Sequence, residues 1–127
     1  MLNILLVSQD KTSLSALKAG LEKNDAHTEW VESGHYGLSM IAKRDFDLVI
    51  TDENMADMTG LEFIKALIAQ KPMVNCAVVS SLLPGDFHEA SEGLGVLMQL
   101  PANPGHEYAE ELLENLKKIM NLSVETA

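Results

Sequence analysis

The segment Asp47-Leu48-Val49-Ile50-Thr51-Asp52, continued by Glu53-Asn54-Met55-Ala56-Asp57-Met58 and then by Thr59-Gly60-Leu61-Glu62, decides how the rest of the chain is read. Leu48, Val49 and Ile50 form a short unbroken apolar run, as a strand covered on both faces requires. Polar and turn-forming residues interrupt it. The apolar positions that follow, Leu61, Ile64, Leu67 and Ile68, then recur at helical spacing. Thr59 and Glu62 open that helix, placed so that hydroxyl and carboxylate satisfy each other's orphan amides, and it stops before Pro72. The unit is therefore a buried strand, a polar loop and a helix, with the Asp52 carboxylate at the end of the strand.

Working outward, Ile4–Val7, Ala77–Val79 and Val96–Met98 repeat the apolar run and, like it, read as central strands. Thr28 to Glu32 carries Trp30 and Val31 between polar neighbours and reads as an edge strand. Helical stripes lie between them: Leu14, Leu17 and Leu21, then Leu38, Ile41 and Ala42. A short fourth helix is expected over Asp86 to Glu92, closed by Gly93. A fifth runs through Ala109, Leu112, Leu113, Leu116, Ile119 and Met120. Strand and helix thus alternate five times. Such alternation implies an α/β fold with parallel strands, right-handed crossovers and helices on both faces of one sheet.

Ligands bind to open sheets of this kind beyond the carboxyl ends of the strands. That rule selects Ser8-Gln9-Asp10, Thr51 to Met55, Ser80-Ser81 and Gln99-Leu100-Pro101. Within this set Asp52 alone is a carboxylate directly ending a buried strand.

A length of 127 residues suits one domain. It is expected to fill residues 1–121, leaving 122–127 as a tail with no output domain. Hydrophobic residues make up 46% and aromatics 5%, so the core must be aliphatic. The formal charge of −10 argues against direct contact with nucleic acid or anionic lipid, whose binders gather Lys and Arg on one face. Cys76 is the single cysteine, inside an apolar run, and reads as a small buried filler in a reducing compartment. No stretch approaches the roughly 20 apolar residues that span a bilayer, and a cytoplasmic location is expected. The four histidines lack metal-site spacing and read as solvated.

The Asp47–Glu62 block, the Ile4–Val7 strand, Val31 through Gly34, Ser80 after the fourth strand, and Gly93 through Pro101 together resemble the receiver domain of response regulators in bacterial two-component signalling, in particular its chemotaxis member. The resemblance implies a (βα)5 doubly wound, flavodoxin-like sandwich with strand order 2-1-3-4-5, acting in phosphorelay signalling and not as an enzyme. It implies that Asp52 stands at the phosphoacceptor position, that Ser80 supplies the hydroxyl sensing the phosphoryl group, and that Mg²⁺ is the family's cofactor. The implied partner is a histidine kinase or another signalling protein docking near the fourth and fifth helices, and a homodimer is compatible.

The chain departs from the family pattern where charge would be neutralised. The two acidic residues after the first strand are replaced by Ser8 and Gln9, and the lysine before Pro101 by Leu100. Leu97 takes the place of the switch aromatic, Ala56 that of a proline, and the stretch from Ser80 to Leu100 is about two residues short. Mg²⁺ prefers octahedral oxygen ligands with one or two carboxylates. The metal donors left are Asp52, the backbone carbonyl of Asn54 and Asp10, the last more simply a cap for the helix carrying Leu14. The expectation is an atypical pseudo-receiver with impaired Mg²⁺-dependent phosphorylation. One alternative is a competent receiver that uses Asp10 in the metal site. Another is a small aspartate-nucleophile phosphohydrolase, against which Asn54 occupies the place of that motif's second aspartate.

Overall fold

A computed structural model describes the backbone of residues 1–125 and the side chains of residues 1–120. The elements alternate as β1 (Asn3–Val7), α1 (Ser15–Lys23), β2 (His27–Val31), α2 (Gly34–Lys43), β3 (Leu48–Thr51), α3 (Gly60–Gln70), β4 (Asn75–Val79), α4 (Pro84–Ala90), β5 (Val96–Leu100) and α5 (Glu107–Glu125). All four strand pairings are parallel, in the order β2-β1-β3-β4-β5. The expected fold and strand order are those observed.

Successive side chains of a strand point to opposite faces, so each apolar run feeds two cores. Ile4, Leu6, Leu48, Ile50, Ala77 and Val79 pack with Leu17 and Leu21 of α1 and with Leu112 and Leu116 of α5. On the other face Leu5, Val7, Val49, Cys76 and Val78 pack with Ile41 of α2, Phe63 and Leu67 of α3, and Phe87 of α4. Cys76 is fully enclosed, and burial pushes its thiol up to about 11, as befits an inert filler.

Four local expectations need correction. β5 is an edge strand, half-buried over most of its length, because only β4 pairs with it. Its register slips between Cys76 and Ala77, which pair with Val96 and Met98 and so leave Leu97 as a bulge residue. α4 begins at Pro84 and ends at Ala90, not Asp86 to Glu92, because Pro is pre-organised for the first helical turn. In α2 the buried positions are Gly34, Gly37 and Ile41, and Ala42 is exposed. Finally α5 continues past Asn121 to Glu125, since no Gly or Pro follows Glu107 to stop it. Of the expected tail, residues 126 and 127 lie outside the described residues.

Candidate functional site

Parallel register brings the strand ends level: Val7 pairs with Thr51, Thr51 with Val78, and Val79 with Leu100. The Asp52 amide donates to the Val7 carbonyl at 2.9 Å, and the Ser80 amide to the Leu100 carbonyl at 3.0 Å. Ser8, Asp52, Ser80 and Leu100 therefore share one carboxyl edge of the sheet.

Asp52 is held by its own loop and by a residue from across the pocket. Its Oδ1 accepts from the Glu53 amide at 2.8 Å, and its Oδ2 from the Ser13 hydroxyl at 2.9 Å. The same Ser13 Oγ lies 2.9 Å from the Asp10 carbonyl, so one proton serves two acceptors. Behind Asp52 the chain turns tightly into α3. A Cβ at Gly60 would run into the Asp52 carbonyl oxygen, which makes glycine a steric requirement there. Thr59 and Glu62 form the expected capping box, with Thr59 Oγ1 accepting from the Glu62 amide at 3.1 Å and Glu62 Oε1 from the Thr59 amide at 3.0 Å. Asn54 pairs with Thr59 in an isolated antiparallel bridge and leaves its side chain exposed.

On the β1 side the pocket is closed by neutral groups. Ser8 is fully buried, its hydroxyl donating to the Asp10 carbonyl at 2.8 Å and accepting from the Trp30 indole at 3.0 Å. Lys11 Nζ lies 5.5 Å from the Trp30 ring centre on the outside. Gln9 and Asp10 are exposed. Asp10 does not cap α1. Its Oδ1 accepts from the Thr12 amide and hydroxyl at 2.9 and 2.7 Å, closing the turn before the helix, whose N-cap is Leu14. Those two bonds, the amide first, hold the Asp10 carboxyl below its ordinary value.

On the β4 and β5 side, Leu100 is wholly buried in the core beside α1 and α5. Ser80 Oγ accepts from the Leu82 amide at 3.2 Å. Glu53 reaches across from β3, its Oε1 accepting from the Ser81 amide and hydroxyl at 2.9 and 2.8 Å. Gln99 Nε2 donates to the carbonyls of Ser80 and Leu82 at 3.2 and 2.8 Å. Ser13, Trp30, Glu53 and Gln99 thus belong to the site, although nothing in their spacing announces it.

Receivers generally bind Mg²⁺ at this edge, and these donors do not fit that ion. Where a carboxylate pair would stand there is a hydrogen-bonded hydroxyl and an exposed amide, and the carboxylate of Asp10 is engaged elsewhere. Among the described residues no group of three or more His, Cys, Asp or Glu gathers to hold a metal.

Comparison with known proteins agrees with the geometry. The model of the response regulator receiver domain family matches residues 4–96. Over 93% of its length the chain aligns, at 30% identity, with the uncharacterized transcriptional regulatory protein YesN of Bacillus subtilis, of which it spans 34%. It is 34% identical, over 48% of its length, to the autoinducer 2 sensor kinase/phosphatase LuxQ of Vibrio vulnificus, and spans 7% of that protein. Among solved structures, the chemotaxis response regulator CheY4 of Vibrio cholerae is similar with a TM-score of 0.81 at 22% identity, covering 91% of this chain and 98% of its own. A structure of the redox sensors of streptococci described as evolved from two-component response regulators gives a TM-score of 0.84 at 19% identity, covering 98% and 55%. With its strand order, its Asp52 corner and this match across most of its length, the chain belongs to the response regulator receiver domain family of two-component systems.

Proposed function

We propose that this receiver works as a docking module whose partner-binding state does not depend on phosphorylation of Asp52. The observation that carries the reading is the closure of the pocket by neutral groups: Ser8 is buried under Trp30, and Leu100 is buried in the core. Phosphoryl transfer to a carboxylate needs little covalent chemistry from the protein. It needs positioning, together with neutralisation of the charge that spreads over the equatorial oxygens. Asp52 is positioned by Ser13 and the Glu53 amide, but the donors around it are uncharged.

Receivers meet histidine kinases and other signalling proteins, and we place this chain's contact near α4 and α5. Leu83 is 72% exposed just before α4, and Asp86 and Glu107 stand in the first turns of α4 and α5. Among the described residues no helix is long and apolar enough to cross a membrane. Catalysis by the chain itself is not part of the reading, because Asn54 puts an exposed amide where a phosphohydrolase needs a second carboxylate.

Mass spectrometry after incubation with acetyl phosphate and Mg²⁺ tests the proposal. No phosphoryl adduct is expected on the folded protein, and an adduct that disappears in Asp52→Asn would sink it. The triple variant Ser8→Asp, Gln9→Asp, Leu100→Lys is expected to regain a saturable response to beryllofluoride with Mg²⁺. Failure to regain it in a folded variant would mean that missing charge is not what limits the pocket.

A further inference from the structure

We infer that the loop Ser80–Leu83, with the groove beside it, is a pre-organised seat for a basic partner segment anchored by apolar side chains. The inference rests on the phosphate-independent reading and adds the partner's chemistry. Leu82 and Leu83 are 41% and 72% exposed. They stand next to a groove of about 230 Å³ bordered by Leu61, Leu82, Glu53 and Thr59.

A loop with exposed leucines would ordinarily fold them back or move. This one is tied from both sides. Glu53, in the loop after β3, holds the Ser81 amide and hydroxyl, Ser80 Oγ holds the Leu82 amide, and Gln99 on β5 holds the Ser80 and Leu82 carbonyls. Pro84 restricts the exit into α4. Five side-chain hydrogen bonds on a four-residue loop keep its leucines presented. A surface fixed in its bound form loses little conformational entropy when a partner arrives.

Charge selects the occupant. From residue 72 to residue 116 the chain has no Lys or Arg, while seven Asp and Glu fall there. β4, α4, β5 and the first half of α5 therefore offer an incoming chain only negative charge, and Glu53 adds to it from the other side of the groove. A second copy of the chain, also at −10, would bring like charge to like. Nucleic acid and anionic lipid would be repelled in the same way. A Lys- or Arg-rich segment with leucine-like anchors is attracted by the carboxylates and retained by Leu82, Leu83 and Leu61.

The test uses the full chain in EDTA with no phosphoryl donor, titrated with a synthetic amphipathic helical peptide of Lys, Ala and Leu and followed by amide NMR shifts. Saturable shifts centred on Glu53, Leu61 and Ser81 to Leu83 are expected. Affinity should fall about tenfold or more in Leu83→Ser, in a peptide with its Leu replaced by Ala, and in one with Glu for Lys. Leu83 is so exposed that its serine variant should keep the parent circular dichroism spectrum. Shifts spread over the acidic surface, affinity indifferent to Leu83, or no binding at all would overturn the inference and leave the phosphate-independent reading standing. Binding that appears only after Mg²⁺ and beryllofluoride are added would do the reverse, keeping the seat and removing that reading.

Discussion

The corner where β3 turns into α3 and the two flanks of the same pocket obey different constraints. At the corner, Gly60 lies against the Asp52 carbonyl, and Thr59 and Glu62 cap the helix. At the flanks, Ser8 and Leu100, which the family resemblance sets in place of charged residues, are both buried and fully integrated. The difference separates two demands that a functional receiver superimposes. The corner answers to steric fit and helix capping, which the fold needs in every state. The flanks answer to charge, which only the chemistry needs, and here they are held by packing and hydrogen bonds instead.

If that separation is right, flank residues should behave under mutation as structural residues. Leu100→Ala offers the largest effect. Truncating a wholly buried leucine forfeits its transfer energy and leaves a cavity, an expected loss of about 3–4 kcal/mol in urea unfolding at unchanged m-value. A loss below about 1 kcal/mol would mean that the position is not core and that the comparison fails on this flank. Gly60→Ala probes the corner. The new methyl meets the Asp52 carbonyl oxygen, which cannot rotate away, and about 2–3 kcal/mol should be lost as the turn opens. Amide shifts should concentrate on Asp52 and Glu53.

Trp30→Phe comes next and tests the β1 flank. It keeps an aromatic side chain of smaller bulk and removes the indole donor to Ser8 Oγ, which still donates to the Asp10 carbonyl. The expected cost is about 1 kcal/mol, that of one hydrogen bond at a buried hydroxyl. The sharper version combines Trp30→Phe with Ser8→Ala in a double-mutant cycle. Additive losses would show that the two side chains do not close the pocket together.

How much of this was legible in the sequence follows from the same division. Apolar runs and stripes carry local periodicity, so the five units, the Asp52 strand end and the capping box could be read from neighbouring residues. The order of strands and the equivalence of Ser80 and Leu100 came with the family resemblance. Hydrogen bonds between side chains far apart in the chain have no period. Ser13 meets Asp52 across 39 positions, Glu53 meets Ser81 across 28 and Trp30 meets Ser8 across 22, and none of these pairings was foreseen. Asp10 misled for a related reason. An Asp shortly before a helix suggests an N-cap, but Thr12 offers both an amide and a hydroxyl within two residues, and the nearer turn takes the carboxylate.

The smallest expected effect is the most specific, and it concerns charge at the corner rather than at the flanks. Asp57, in the loop between β3 and α3, accepts from the Gly34 amide at 3.1 Å and the His35 amide at 2.9 Å, tying that loop to the start of α2. Burial works against its charged form, but the His35 and Gly34 amides, with its own amide and the charge of His35, outweigh it, so the carboxyl lies below its ordinary value of 3.8. A group whose folded value is lowered contributes stability that is complete above its unfolded value and is lost as pH falls through the folded one. The stability gap between the parent and Asp57→Asn should therefore be level at neutral pH and shrink between about pH 5 and pH 2, as the parent's carboxylate is protonated. Denaturant titrations of both proteins at several pH values measure it. A gap that does not change across that range would mean that Asp57 holds α2 by shape alone, and the corner would then owe nothing to ionisation.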